Sequence, residues 1–172
     1  VNLSARQFSD PQLINHIQDA LEDSGLLPQM LELEITESTA MADLAGTMDL
    51  LTRFKSMGVM LAIDDFGTGY SSLAYLKRFP LDVLKIDQSF VRQICAEKED
   101  QAISAAVITL AHSLGLRVVG EGVETQEQHD LLRSMGCDMM QGYLQAKPLA
   151  ADEVEAWLQN HYRSLNAIVD KL

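Results

Sequence analysis

Short apolar, β-branched runs alternate with longer amphipathic stretches along the whole chain, with glycines at Gly25, Gly58, Gly115 and Gly136 marking the passage from stretch to run. Runs with no polar face belong to strands covered on both sides, which a parallel α/β sheet provides and a bundle or sandwich does not. Six strands are predicted, at 1–3, 31–36, 59–64, 83–87, 117–121 and 139–144, with helices at 11–24, 41–57 and 102–114 between them. A further helix opens after Thr125, where Gln128 completes a capping box. Each glycine falls where a helix ends in a left-handed residue. Periodicity leaves open whether such units close into an eight-unit barrel or stop as an open doubly wound sheet.

The chain has 172 residues, 47% hydrophobic and 22% charged, enough for one compact domain and unlike disordered, collagenous or disulfide-framed chains. Cys95 and Cys137 stand far apart with no CxxC spacing, which argues against a zinc site and suits a reducing compartment. No apolar run approaches the ~18 to 20 residues of a membrane span, and no signal peptide opens the chain. The expected location is cytoplasmic, or the cytoplasmic part of a membrane-anchored signalling protein. A net charge of −12 argues against a DNA or RNA polymer as partner. An anionic substrate would need locally inverted charge, most simply from bound cations.

Carboxylates collect at the predicted strand ends: Glu34 and Glu37 in LELEITES, Asp64 and Asp65 in LAIDDF, Asp87 in LKIDQSF, Glu121 and Glu124 in VVGEGVET. Any one of them reads equally well as a helix cap or turn former. Together, at the same end of successive parallel strands, they converge on one face. Carboxylates gathered there repel, and protonation or a metal relieves them. An all-oxygen set with the amide of Asn2 suits Mg²⁺ or Mn²⁺, and a pair of such ions ~3.5 to 4 Å apart clamps an in-line phosphoryl displacement. Lys85, inside an apolar strand, either pairs with Asp87 or another acid, or holds a water or phosphate oxygen beside the metals; the acids around it favour the second. The segment Phe66, Gly67, Thr68, Gly69, Tyr70, Ser71, Ser72 has neither P-loop nor GxGxxG spacing and reads as a mobile loop. His16, His112, His129 and His161 fall on helices away from the acids, and Trp157 and Tyr162 read as packing anchors.

VNLSARQF, LELEITES, LAIDDFGTGYSSLAYLKRFPLDVLKIDQSFV, VVGEGVET and GCDMMQGYL resemble, in order and spacing as far as about Pro148, the EAL-domain family of cyclic di-GMP phosphodiesterases. The resemblance implies a TIM-like (β/α)8 barrel that hydrolyses cyclic di-GMP to linear pGpG with two Mg²⁺ or Mn²⁺ ions. It implies that Asn2, Glu34 and Asp64 ligate one metal, that Asp64 bridges to the second, and that Asp65 serves the second. It also implies that Glu121 contacts the catalytic water, as general base or through a metal, with Lys85 as its cationic companion. Glu37 would hold the DFGTGYSS loop, and Asp87, Glu124 and Gln141 would support the site. Gly120 replaces the family's commoner alanine, one small residue for another.

The Glu-Ala-Leu tripeptide that names the family is absent from these residues. Residues 1–172 therefore read as an EAL domain beginning at the third barrel strand, with strands 3–8 present. The missing motif also allows a second expectation, a non-catalytic module that binds cyclic di-GMP and regulates a partner. A homodimer and an upstream GGDEF or sensory domain in a longer parent chain are the partners the resemblance implies.

Overall fold

The computed structural model describes residues 1–69 and 73–169, so Tyr70, Ser71 and Ser72 of the predicted loop lie outside the described residues. Its centre is a parallel sheet of β1 (Glu32–Thr36), β2 (Met60–Phe66), β3 (Val83–Ile86), β4 (Arg117–Glu121) and β5 (Met139–Gln141), hydrogen-bonded in that sequential order. In a doubly wound sheet the order reverses at a switch point, whereas unbroken sequential order is the winding of a barrel. The architecture is thus part of a TIM-like (β/α)8 barrel.

Two predicted elements are corrected. The strand expected at 1–3 is only an isolated parallel bridge between Asn2 and Glu34, held by Leu3 N–H to the Glu34 carbonyl at 2.8 Å and Glu34 N–H to the Val1 carbonyl at 2.9 Å. It cannot lengthen because Ser4 at once caps α1 (Ala5–Phe8) through a capping box with Gln7. The helix expected at 41–57 is two helices, α3 (Glu37–Ala42) and α4 (Leu44–Met57). Between them Asp43 takes an extended backbone and accepts the Gly46 N–H at 3.1 Å, which ends one helix and starts the next.

The remaining helices are α2 (Leu13–Ser24), α5 (Leu73–Leu76), α6 (Gln88–Arg92), α7 (Lys98–Ser113), α8 (Gln126–Ser134) and α9 (Ala151–Val169). Strand alternation sorts the side chains by face. Leu61, Ile63, Leu84, Ile86 and Val118 pack with helix residues such as Leu51, Phe54, Ile108 and Leu132 in the main core. Ala62, Val83 and Val119, with Met139 against them, form a separate small layer from strand residues alone. The next residues along that second face are Asp64, Lys85, Glu121 and Gln141.

β5 is shorter than the run predicted at 139–144, and Gly142 lies just beyond its end, where the chain still bonds to Val123 through the Leu144 N–H at 3.0 Å. A Cβ at Gly142 would collide with the carbonyl oxygen of Val123, in the backbone segment that β5 joins through Val123 N–H to the Gln141 carbonyl. Gly142→Ala is expected to cost about 1–3 kcal/mol as an overpacking change, measured by chemical denaturation. An unchanged midpoint would show that this approach is not required.

Candidate metal centre

β2 does not pair evenly with β3. The register runs Ala62 to Val83 and Ile63 to Leu84, then resumes at Phe66 to Ile86, so a bulge takes up the extra residue at Asp64 and Asp65. Among the described residues Asp65 is the only non-glycine with positive φ, at 55°, a conformation short polar side chains tolerate best. A bulge re-aims side chains that strict alternation would send to opposite faces. One oxygen each from Asp64, Asp65 and Glu121, the last contributed by the end of β4, lies within 4.8 Å of the others.

Lys85 enters this cluster from β3 and is 3% exposed. Its Nζ lies 2.6 Å from Glu34 Oε2, 2.6 Å from Glu121 Oε1 and 3.3 Å from Asp64 Oδ1. Burial by itself disfavours the ammonium, but hydrogen bonds to Glu121 and Glu34 and the charges of Glu121 and Asp64 overcome it, so its pKa lies above the ordinary lysine value. Burial raises the pKa of Glu121, and the charge of Asp64 adds to this against the opposing pull of Lys85. Burial likewise raises Asp65, with the charges of Asp64 and Asp87 and a hydrogen bond to Asp87 in support. A single ammonium thus faces three carboxylates with a fourth beside them, leaving an excess of negative charge in a part-buried, all-oxygen setting. Such a donor set fits hard divalent cations such as Mg²⁺ or Mn²⁺.

The other predicted residues sit around this centre in different ways. Asn2 is brought beside Glu34 by the backbone bridge. Glu37 stands apart from the cluster, 2% exposed, and its Oε2 accepts the Gly67 N–H at 3.1 Å. A Cβ on Gly69 would lie 3.0 Å from Glu37 Oε1, so Phe66, Gly67, Thr68 and Gly69 leave β2 close over this carboxylate. Asp87 caps α6, accepting the Ser89 N–H at 2.8 Å, and meets Asp65 rather than Lys85. Glu124 and Gln141 line a cavity of about 290 Å³ next to Glu121, with Gln88 and Tyr143.

Gln88, Tyr143 and the inward role of Gln128 were not legible from spacing. Gln128 completes the predicted capping box, and its Oε1 accepts the N–H groups of Glu124 at 2.8 Å and Thr125 at 3.0 Å. Its amide nitrogen also donates to the Val91 carbonyl at 3.3 Å and the Arg92 carbonyl at 3.2 Å, tying the loop after β4 to α6. Trp157 stacks on His161 with ring centroids 4.9 Å apart.

The EAL domain family profile matches residues 1–148. MucR of Pseudomonas aeruginosa, a bifunctional diguanylate cyclase/cyclic di-GMP phosphodiesterase, is 45% identical over 156 residues, 91% of this chain and 23% of MucR. The cyclic di-GMP phosphodiesterase NbdA of the same organism is 46% identical over 159 residues, 92% of this chain and 20% of NbdA. The chain therefore spans about a fifth to a quarter of the length of these relatives. The solved phosphodiesterase structure of MucR in complex with c-di-GMP superposes with a TM-score of 0.87 at 45% identity, covering 90% of this chain and 62% of that one. The manganese/cy-diGMP complex of BlrP1 from Klebsiella pneumoniae gives 0.80 at 37% identity, covering 86% and 38%.

Proposed function

The chain belongs to the EAL-domain family, and from that premise we propose that it hydrolyses cyclic di-GMP to linear pGpG on a pair of Mg²⁺ or Mn²⁺ ions. The observation that carries the proposal is the buried Lys85 ammonium held among Glu34, Asp64 and Glu121, beside Asp65 on its bulge. A phosphodiester needs negative charge neutralised at the phosphate and a water deprotonated near it, and this cluster supplies groups for both.

Asn2, Glu34, Asp64, Asp65 and Glu121 would hold the ions. When bound, such ions stabilise charge on the phosphate and lower the pKa of a coordinated water. Glu121 takes the proton of the attacking water, a task suited to a carboxylate whose pKa burial has raised. Lys85 stays protonated and donates toward a phosphate oxygen or the water. The water oxygen bonds to phosphorus, the bond to the 3′-oxygen breaks, and that oxygen takes a proton from solvent while Glu121 releases the one it accepted. Glu37 holds the start of the loop after β2, while Asp87, Glu124 and Gln141 orient the groups around the ions.

The relatives' greater length supports a working context inside a longer chain with GGDEF or sensory domains; a homodimer is proposed from the family resemblance alone. Among the described residues no helix is long and apolar enough to cross a membrane.

The test is incubation of the protein with cyclic di-GMP and Mn²⁺, followed by chromatography and by calorimetry with the same nucleotide. Linear pGpG that disappears with a chelator supports the proposal. Tight binding of intact nucleotide without turnover would overturn it in favour of a regulatory module. Glu37→Ala is expected to lower turnover about 10- to 100-fold, as loss of a supporting hydrogen bond does around metal sites. Turnover equal to that of the unmodified protein would remove Glu37 from the account.

A further inference from the structure

The two strand pairs that carry the site repeat one another residue by residue. Lys55, Gly58, Leu61 and Asp64 follow one another at the same spacing as His112, Gly115, Val118 and Glu121. In the strand that completes each pair, Asp82 precedes Lys85 as Asp138 precedes Gln141. Pairing agrees as well: Ala62 opposes Val83 in one pair, and Val119 opposes Met139 in the other. These four make up the small apolar layer beneath the site.

The repeat includes a specific polar contact. Asp82 Oδ2 accepts the Leu61 N–H at 2.8 Å, and its carboxylate takes Lys55 Nζ at 2.9 and 2.8 Å. Asp138 Oδ2 accepts the Val118 N–H at 2.7 Å and meets His112 Nε2 at 2.9 Å. Each aspartate thus joins the entry of one strand to the backbone of the strand before it and to a basic side chain in the last turn of the helix preceding that strand. The lock matters because β3 and β5 are short, at four and three residues, with few ladder bonds of their own to define register. A slip of one residue would turn every side chain to the opposite face. At about 3.3 Å per residue, each lock sits about 10 Å below the site residue of its own strand.

We propose that Asp82 and Asp138 are positioning residues, a duplicated register lock that sets the heights at which Asp64 and Lys85, and Glu121 and Gln141, enter the site. Its effect on turnover rests on the phosphodiesterase reading; its effect on the strands does not. The bulge at Asp64 and Asp65 is where the two pairs diverge, since Glu121 still opposes Gln141 without interruption. The first pair thereby presents an extra acid that the second lacks.

The test compares Asp82→Ala, Asp138→Ala, Asp82→Asn and Asp138→Asn with Val107→Ala, a destabilising change on α7 within the helix-facing core. Mn²⁺ affinity and kcat are measured well below each variant's melting temperature. The alanine variants are expected to bind Mn²⁺ ~10- to 100-fold more weakly, the range for supporting partners of a metal site. The asparagine variants keep an acceptor for the strand N–H and should recover most of the affinity, and Val107→Ala should leave it unchanged. Equal losses in Val107→Ala, or none in the alanine variants, would overturn the proposal. Amide exchange is followed in parallel without metal: Asp138→Ala should lose protection at Glu121 and keep it at Ile35. Unchanged protection at Glu121 would overturn the lock, whereas a chain that loses that protection yet shows no hydrolysis in any form would instead count against the phosphodiesterase reading.

Discussion

Replacing Lys85 with methionine is expected to lower the stability of the metal-free chain by about 3–5 kcal/mol, the cost of removing one partner from a buried ionic group. The methionine keeps the length of the stem, so lost packing is small. What remains is Glu34, Asp64 and Glu121 facing the space of an ammonium that lay 2.6 to 3.3 Å from each. The loss should depend on pH. Glu121 already has a folded-state pKa above its ordinary value, so its favourable contribution is present below that ordinary value and is lost as pH rises through the folded one. Without Lys85 that folded-state pKa rises further, so the variant should suffer less at pH 5 than at pH 7.5. Mn²⁺ should restore much of the difference, because the same carboxylates regain a cation. Chemical denaturation with chelator and with Mn²⁺ measures all three effects, and equal midpoints for the two proteins in chelator would contradict the electrostatic account.

Glu121→Gln keeps the shape of the side chain while removing both its charge and its capacity to take a proton. The amide has the shape of the carboxylate and can still accept a hydrogen bond from Lys85, but it cannot take a proton from water. Loss of a general base costs about 10²- to 10⁴-fold in rate. The fall should appear in kcat, with KM changed much less once Mn²⁺ saturates, because Glu121 is assigned to the water and the ions rather than to direct contact with the nucleotide. Steady-state kinetics at saturating Mn²⁺ separates the two parameters. Undiminished kcat would remove Glu121 from the proton transfer, and a rise in KM alone would make it a binding group.

The alternation of apolar runs with glycine-closed amphipathic stretches was enough to place β2, β3 and β4 and to make the sheet parallel. It failed where capping decides the boundary. Ser4 cuts the first strand to a bridge, and Asp43 divides one predicted helix in two, because a side chain meeting a nearby N–H competes with propagation of either element. The acids at the strand ends were visible individually, and parallel topology was enough to bring Asp64 and Glu121 to one face, where the bulge adds Asp65. The bulge was not visible, since it exists only in the pairing of β2 with β3. Nor were the partners of Lys85: Glu34 lies 51 positions earlier in the chain, and only the folded sheet brings them to 2.6 Å. The roles of Asp82 and Asp138 are hidden in the sequence for the same reason. Each looks like an ordinary loop acid until its contact with the preceding strand is seen.

Hydrolysis of cyclic di-GMP in ¹⁸O-labelled water, with Mn²⁺ and with chelator, tests the central claim most directly. Mass spectrometry of the product should show linear pGpG carrying one labelled oxygen on its 5′-phosphate in the Mn²⁺ reaction, and intact cyclic nucleotide where the metal is chelated. Unlabelled product, or turnover that survives metal removal, would contradict a metal-dependent attack of water at phosphorus.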